Sequence, residues 1–167
     1  ALSAPFLRSG DAATLLEILP DLPGAFDAQK DSISLAQWLV NQLSEWLEGV
    51  QRASLFVIDS TQGRIKVLAH VPSLKPILSD TLAHRALEMR KAFAWQQVSK
   101  NESVRRLSMN AGLYVPLVAG DEEVGILCVE DTVEDAQFSE GQLSALTLIG
   151  QLTAVHLQSR LWRESGN

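Results

Sequence analysis

The side chains that could do chemistry are few and well separated. In the stretch YVPLVAGDEEVGILCVED, residues 114–131, two apolar runs flank an acidic turn, and the second run ends on Glu130 and Asp131. Two carboxylates act as a general acid and base only when both reach one substrate. Neighbours along a strand point to opposite faces, so this pair is expected to mark where the strand leaves the core. Cys128 alternates with Val124 and Ile126 and reads as a small buried hydrophobe, because a reactive thiol needs exposure and an electropositive setting. His70, His84 and His156 have no short metal-ligand spacing. The chain has no glycine-rich phosphate loop followed by lysine and no serine in a nucleophile-elbow context. No catalytic residue, metal ligand or cofactor is assigned.

What remains suits binding. Phe93, Trp95 and Tyr114 can form apolar walls, Arg105 and Arg106 can contact an anion, and His84 on a middle helix can reach the same pocket. An anionic or planar small molecule is the ligand class these residues suggest. The alternative is that the rings are core, the arginines solvated and His84 a helix-surface residue.

At 167 residues, with 46% apolar and 20% charged residues, the chain has the composition of one folded domain. A net charge of −6 and the absence of a basic stripe argue against direct nucleic-acid binding. No run approaches the roughly 20 apolar residues of a membrane span. A single cysteine fits a reducing compartment, so a cytoplasmic location is expected. The chain begins at Ala1 without Met and reads as an excised piece of a larger protein.

The elements that must position these residues follow from pattern. Residues 1–30 read as a linker with one short helix, Asp11 to Leu19, stopped by Pro20. From Asp31 a helix carries the stripe Ile33, Ala36, Val40, Leu43, Leu47 and Val50, with Leu35, Trp38, Leu39 and Trp46 to its side. RASLFVID (52–59) and RIKVLAHV (64–71) form a hairpin through Gly63. A helix from Ser79 or Asp80 ends on Arg90 and Lys91, and AFAWQQ then alternates as a short edge strand with both rings on one side. Residues 97–111 form a polar loop. GLYVPLVA and EVGILCVED pair through Gly120-Asp121, with Pro116 requiring an edge or a bulge.

The last helix opens on a capping box, Ser139 with Gln142, and runs to about Trp162. Leu143, Leu146, Ile149 and Thr153 define one face; Leu148, Leu152, Val155, Ser159 and Trp162 define another. A helix apolar on two sides needs burial on two sides, and its second side wants a partner. The domain is therefore expected over residues 31–162, with 163–167 as a tail. Antiparallel hairpins without strand–helix–strand alternation make the class α+β.

From Asp31 to Trp162 the chain resembles a GAF domain, the small-molecule sensor module of many signalling proteins. The resemblance rests on ASLFVIDSTQGRIKVLAHV, AFAW, GLYVPLVAGDEEVGILCVEDT and FSEGQLSALTLIGQLTAVHLQ, in that order and spacing. It implies a GAF-like (PAS-like) antiparallel sheet of five to six strands. The terminal helices would cover one face, and the middle helix and polar loop a ligand pocket on the other. It also implies homodimerisation through the terminal helices, here Trp38, Trp46, Leu148, Leu152, Val155 and Trp162, and control of an effector outside this sequence in a bacterial signalling protein. The asparagine–lysine, phenylalanine and aspartate–glutamate series of cyclic-nucleotide-binding relatives is missing, and Cys128 lies mid-strand rather than at a bilin-attachment position. Free methionine sulfoxide reductases are single GAF domains that use several cysteines, whereas this chain has one. A ligand-free dimerisation scaffold is the structural alternative.

Overall fold

The computed structural model describes residues 11–47, 50, 52–59, 61–72, 80–96, 111–131 and 138–166. The elements are α1 (Asp11–Ile18), a 3-10 turn (Leu19–Asp21), α2 (Leu22–Asp27), α3 (Ser32–Trp46), β1 (Arg52–Asp59) and β2 (Arg64–Val71). They continue with α4 (Asp80–Met89), β3 (Phe93–Gln96), β4 (Ala111–Ala119), β5 (Glu122–Asp131) and α5 (Glu140–Glu164). The strands form one antiparallel sheet in the order β2-β1-β5-β4-β3, so the hairpin of residues 111–131 supplies its central strand.

The turns obey local chemistry. Gly63 and Gly120 take positive φ, 64° and 62°, which a side chain would resist. Asp59 accepts from the Thr61 amide and hydroxyl, closing the first turn. Pro116 costs the sheet little, since β3 pairs with β4 only as far as Tyr114 and the register shifts between Leu117 and Val118. The helix α4 stops at Met89, earlier than the basic pair suggested. Arg90 is the left-handed residue that ends it, with φ 55°, and its guanidinium donates to the Gly120 carbonyl at 3.1 Å.

Two expectations about the helices are corrected. The segment before residue 30 holds two helices and a 3-10 turn rather than one helix. Pro20 and Pro23 each fall in a first turn, where a missing amide is harmless. Leu15, Leu22 and Phe26 are 0–2% exposed and belong to the main core, so residues 11–27 pack on the domain. In α3 the buried arc is Leu35, Ala36, Leu39, Val40 and Leu43, while Ile33 is 59% exposed. The helix ends at Trp46 because Leu47 turns extended, which takes Leu47 and Val50 out of its stripe.

Two cores flank the sheet. The larger lies beneath α1, α2, α3 and α5 and takes Leu55, Val57, Leu113, Val115, Leu117, Leu127 and Val129 from the strands. The smaller lies beneath α4 and takes Phe56, Tyr114, Ile126 and Cys128. The α5 helix is held by the capping box the sequence announces: Ser139 Oγ accepts from the Gln142 amide, and Gln142 Oε1 accepts from Ser139. Gly150 lets this helix press onto β4, where a Cβ would lie 2.6 Å from Val115 Cγ1 and 3.0 Å from the Pro116 carbonyl oxygen.

Candidate functional site

On the α4 face the strand register lines up two transverse rows. Arg52, Glu130, Gly112 and Trp95 form one; Ser54, Cys128, Tyr114 and Phe93 form the next. Cross-strand partners hold their Cβ atoms about 4.5–5.5 Å apart, so residues in a row are near neighbours. Ala83, Ala86 and Leu87 of the middle helix pack in one cluster with Tyr114, Cys128, Phe93 and Trp95. Phe93 and Tyr114 stack at 5.9 Å between ring centroids, and the Arg85 guanidinium lies 5.4 Å over the Phe93 ring.

Two polar groups lie buried in the first row. Gly112 is the seat of the Trp95 indole, since a Cβ there would come within 2.5 Å of Trp95 Nε1. That Nε1 is buried and has no hydrogen-bond partner. Across Gly112 lies Glu130, which is 8% exposed. Burial pushes its carboxyl above the ordinary value of 4.5, and Arg52 on the next strand pulls it partly back. Glu130 is thus no strand-end punctuation. Its place on the central strand, paired to Arg52 on one side and Gly112 on the other, keeps it inside.

Cys128 is 1% exposed, as its alternation predicts. Burial, and then the charge of Glu130, push its thiol well above the usual range, against the opposing hydroxyl of Ser54. A protonated thiol is a poor nucleophile.

Of the six residues assigned to ligand contact, the structure gathers three. Phe93, Trp95 and Tyr114 pack in the α4-face cluster, Tyr114 at 2% exposure and the other two half-buried. His84 is exposed and lies outside the buried stripe of α4. Arg105 and Arg106, with the polar loop of residues 97–110, lie outside the described residues. Sequence reasoning did not bring Gly112 and Glu130 into the candidate row beside Trp95. The available signal was that they sit one strand apart at the level of Trp95.

The other candidate surface is the outer side of α5. Leu148 is 44% exposed, Val155 56% and Trp162 54%, with Leu152 half-buried and Ser159 exposed. Their spacing of 4, 3, 4 and 3 residues draws one straight seam along the helix. Trp38 and Trp46 are engaged within their own chain. Trp38 meets Phe26 edge-on at 5.7 Å and Trp46 at 6.1 Å.

This architecture has clear relatives. The sequence model of one family, described as GAF domain, matches residues 33–159. Among solved structures, the GAF domain from a phosphoenolpyruvate-protein phosphotransferase of Coxiella burnetii superposes with a TM-score of 0.72 at 17% identity, covering 92% of this chain and 98% of that one. The free methionine-R-sulfoxide reductase of Neisseria meningitidis gives 0.76 at 15% identity, covering 98% and 99%. The phycocyanobilin-bound GAF domain of a cyanobacterial phytochrome gives 0.65 at 14%, covering 93% and 98%. At these identities the likeness concerns the fold. No protein of curated function matches the chain in sequence.

Proposed function

The chain belongs to the GAF domain family, and from that premise we propose that it is a sensory module of a larger bacterial, cytoplasmic signalling protein. It self-associates through α5, takes a small ligand on the α4 face, and passes the occupancy of that face to an effector outside this sequence. The observation that carries this reading is the seam of Leu148, Leu152, Val155 and Trp162, a row of large apolar side chains left partly or largely in water. Such rows on a helix are covered by a second helix, most simply by a second copy about a two-fold axis.

A route between the two surfaces exists in β4. Tyr114 faces the α4 cluster, while Val115 and the Pro116 backbone meet α5 at Gly150. A ligand that moves β4 by a fraction of an ångström shifts the packing of α5, which is rigid and long. Trp95 Nε1 and Glu130 favour a ligand that presents a hydrogen-bond acceptor beside a donor. Glu130 and Arg52 together add no net positive charge at this end of the sheet, so the anionic class suggested by Arg105 and Arg106 rests on those two residues alone.

A scaffold without ligand is the second reading, favoured by how fully Phe56 (5% exposed) and Tyr114 (2%) are packed. An oxidoreductase like the Neisseria neighbour is disfavoured by Cys128, the chain's one thiol, which is buried and held protonated. The test is twofold. Leu152→Glu and Val155→Glu are each expected to yield a monomer with an unchanged circular dichroism spectrum. A ligand at 100 times its Kd raises stability by about 2.7 kcal/mol, visible as a thermal shift that Trp95→Phe and Glu130→Gln reduce. Variants that stay dimeric would refute the seam; no shift with any small molecule would leave the scaffold.

A further inference from the structure

Away from the α4 face, and bordering the α5 seam at Val155 and Ser159, a groove of about 690 Å3 lies between the end of α2 and the last turns of α5. One wall is a helical stripe, His156, Ser159, Arg160 and Arg163, at positions i, i+3, i+4 and i+7; the other includes Asp27 and Lys30. In a chain whose net charge is −6, this groove collects three cations against one carboxylate. The C-terminus of α5 adds about half a negative charge, which leaves the balance positive.

Arg160 is the informative member. It is 7% exposed, yet no carboxylate lies within ion-pair distance of it among the described residues. Its Nη2 donates to the Phe26 carbonyl at 2.6 Å, a task that accounts for one corner of the guanidinium. Its Nε is buried with no partner. Asp27 is largely exposed and faces His156 at 3.7 Å. Glu164, the next acid along, is held elsewhere, accepting from the Ser32 amide and hydroxyl at the start of α3. A buried cation with no counter-charge is costly to keep. Capping the α2 carbonyl explains neither the free Nε nor the placing of Lys30 and Arg163 beside it.

We propose that this groove binds a compact polyanion, a small molecule bearing phosphoryl or carboxylate groups, with Arg160 as the buried anchor and Lys30 and Arg163 at the rim. A planar guanidinium suits either oxyanion, and the volume suits a metabolite-sized molecule. The site is independent of any ligand on the α4 face.

Inorganic pyrophosphate and citrate are the probes, titrated by calorimetry and by amide chemical shifts at fixed ionic strength set with potassium chloride. At least one is expected to bind saturably with a Kd of about 1 mM or tighter, moving amides at residues 30, 156 and 163. Tighter binding of pyrophosphate assigns phosphoryl groups; tighter binding of citrate assigns carboxylates. Lys30 and Arg163 are exposed, so Lys30→Glu and Arg163→Glu leave the core alone. Each is expected to weaken binding at least about tenfold, while Lys30→Arg retains it. Absence of saturable binding by either probe, or equal affinity in the charge-reversed variants, overturns the proposal.

Discussion

On the terminal-helix face the strands present Leu55, Val57, Leu113, Val115, Leu127 and Val129, all buried and all aliphatic. On the α4 face the same strands present Ser54, Phe56, Tyr114, Ile126, Cys128 and Glu130, buried as well but, Ile126 apart, aromatic, sulfur-bearing or polar. The first face is a core in the ordinary sense, where volume and apolarity decide everything. The second buries a carboxylate beside Arg52 and keeps an indole N–H out of water without a partner, an arrangement that stability alone does not select. The sheet therefore separates a surface that holds the fold from the surface proposed to hold a site, and α5 stands behind the first.

Substitutions can test that separation. The largest effect belongs to the aliphatic face, where Leu127→Ala should cost about 2–5 kcal/mol in chemical denaturation, through lost transfer energy and a cavity beneath α5. If it costs far less, that face is loosely packed and the contrast weakens. On the site face, Gly112→Ala places a methyl where the indole lies and should cost a smaller amount, about 1–3 kcal/mol. The indole can swing away, so the sharper readout is a change in tryptophan fluorescence with the far-ultraviolet spectrum unchanged.

Glu130 gives the contrast a pH dependence. Its folded pKa lies above the ordinary 4.5, so the native state binds the more protons between the two values. Stability then falls as pH rises through that window, and the loss persists above it. Glu130→Gln should flatten this slope and be at least as stable as the parent near neutrality. Asp31 and Asp59 act in the opposite sense and elsewhere. Asp31 is exposed and Asp59 half-buried, and both carboxylates are held below 3.8 by hydrogen bonds from Ser34 and Thr61, so their contribution is lost only as pH falls below that value. A slope in Glu130→Gln equal to the parent's would remove Glu130 as its source. Smallest of all should be the effect of Val155→Glu on folding of the single chain, within about 0.5 kcal/mol, because that side chain is already 56% exposed.

How far the sequence could be read depended on whether a feature was decided locally. The hairpin of β1 and β2 was legible to the residue, since a short connection containing Gly63 between two β-rich runs leaves few options. The same holds for the Ser139–Gln142 box and for β3, whose two rings share a side as their spacing requires. Ile33 was misplaced because a helical stripe at 3 to 4 spacing can be drawn through several sets of residues, and only tertiary packing chose Leu35, Ala36 and Leu39. The first helices were underread because proline stops a helix only from its interior, and Pro20 and Pro23 sit in first turns. Glu130 was set aside because a strand-end acid and a buried acid look alike in sequence. The difference is made by β1 and β4 on either side of it.

Self-association decides the account most directly. Sedimentation equilibrium of the purified chain over a wide concentration range should give a weight-average mass rising toward twice that of one chain. Val155→Glu and Leu152→Glu should hold it at the single-chain value with secondary structure intact. A parent chain that sediments as one copy at every concentration would mean that Leu148, Val155 and Trp162 face water by default, and the sensory reading built on that seam would be contradicted.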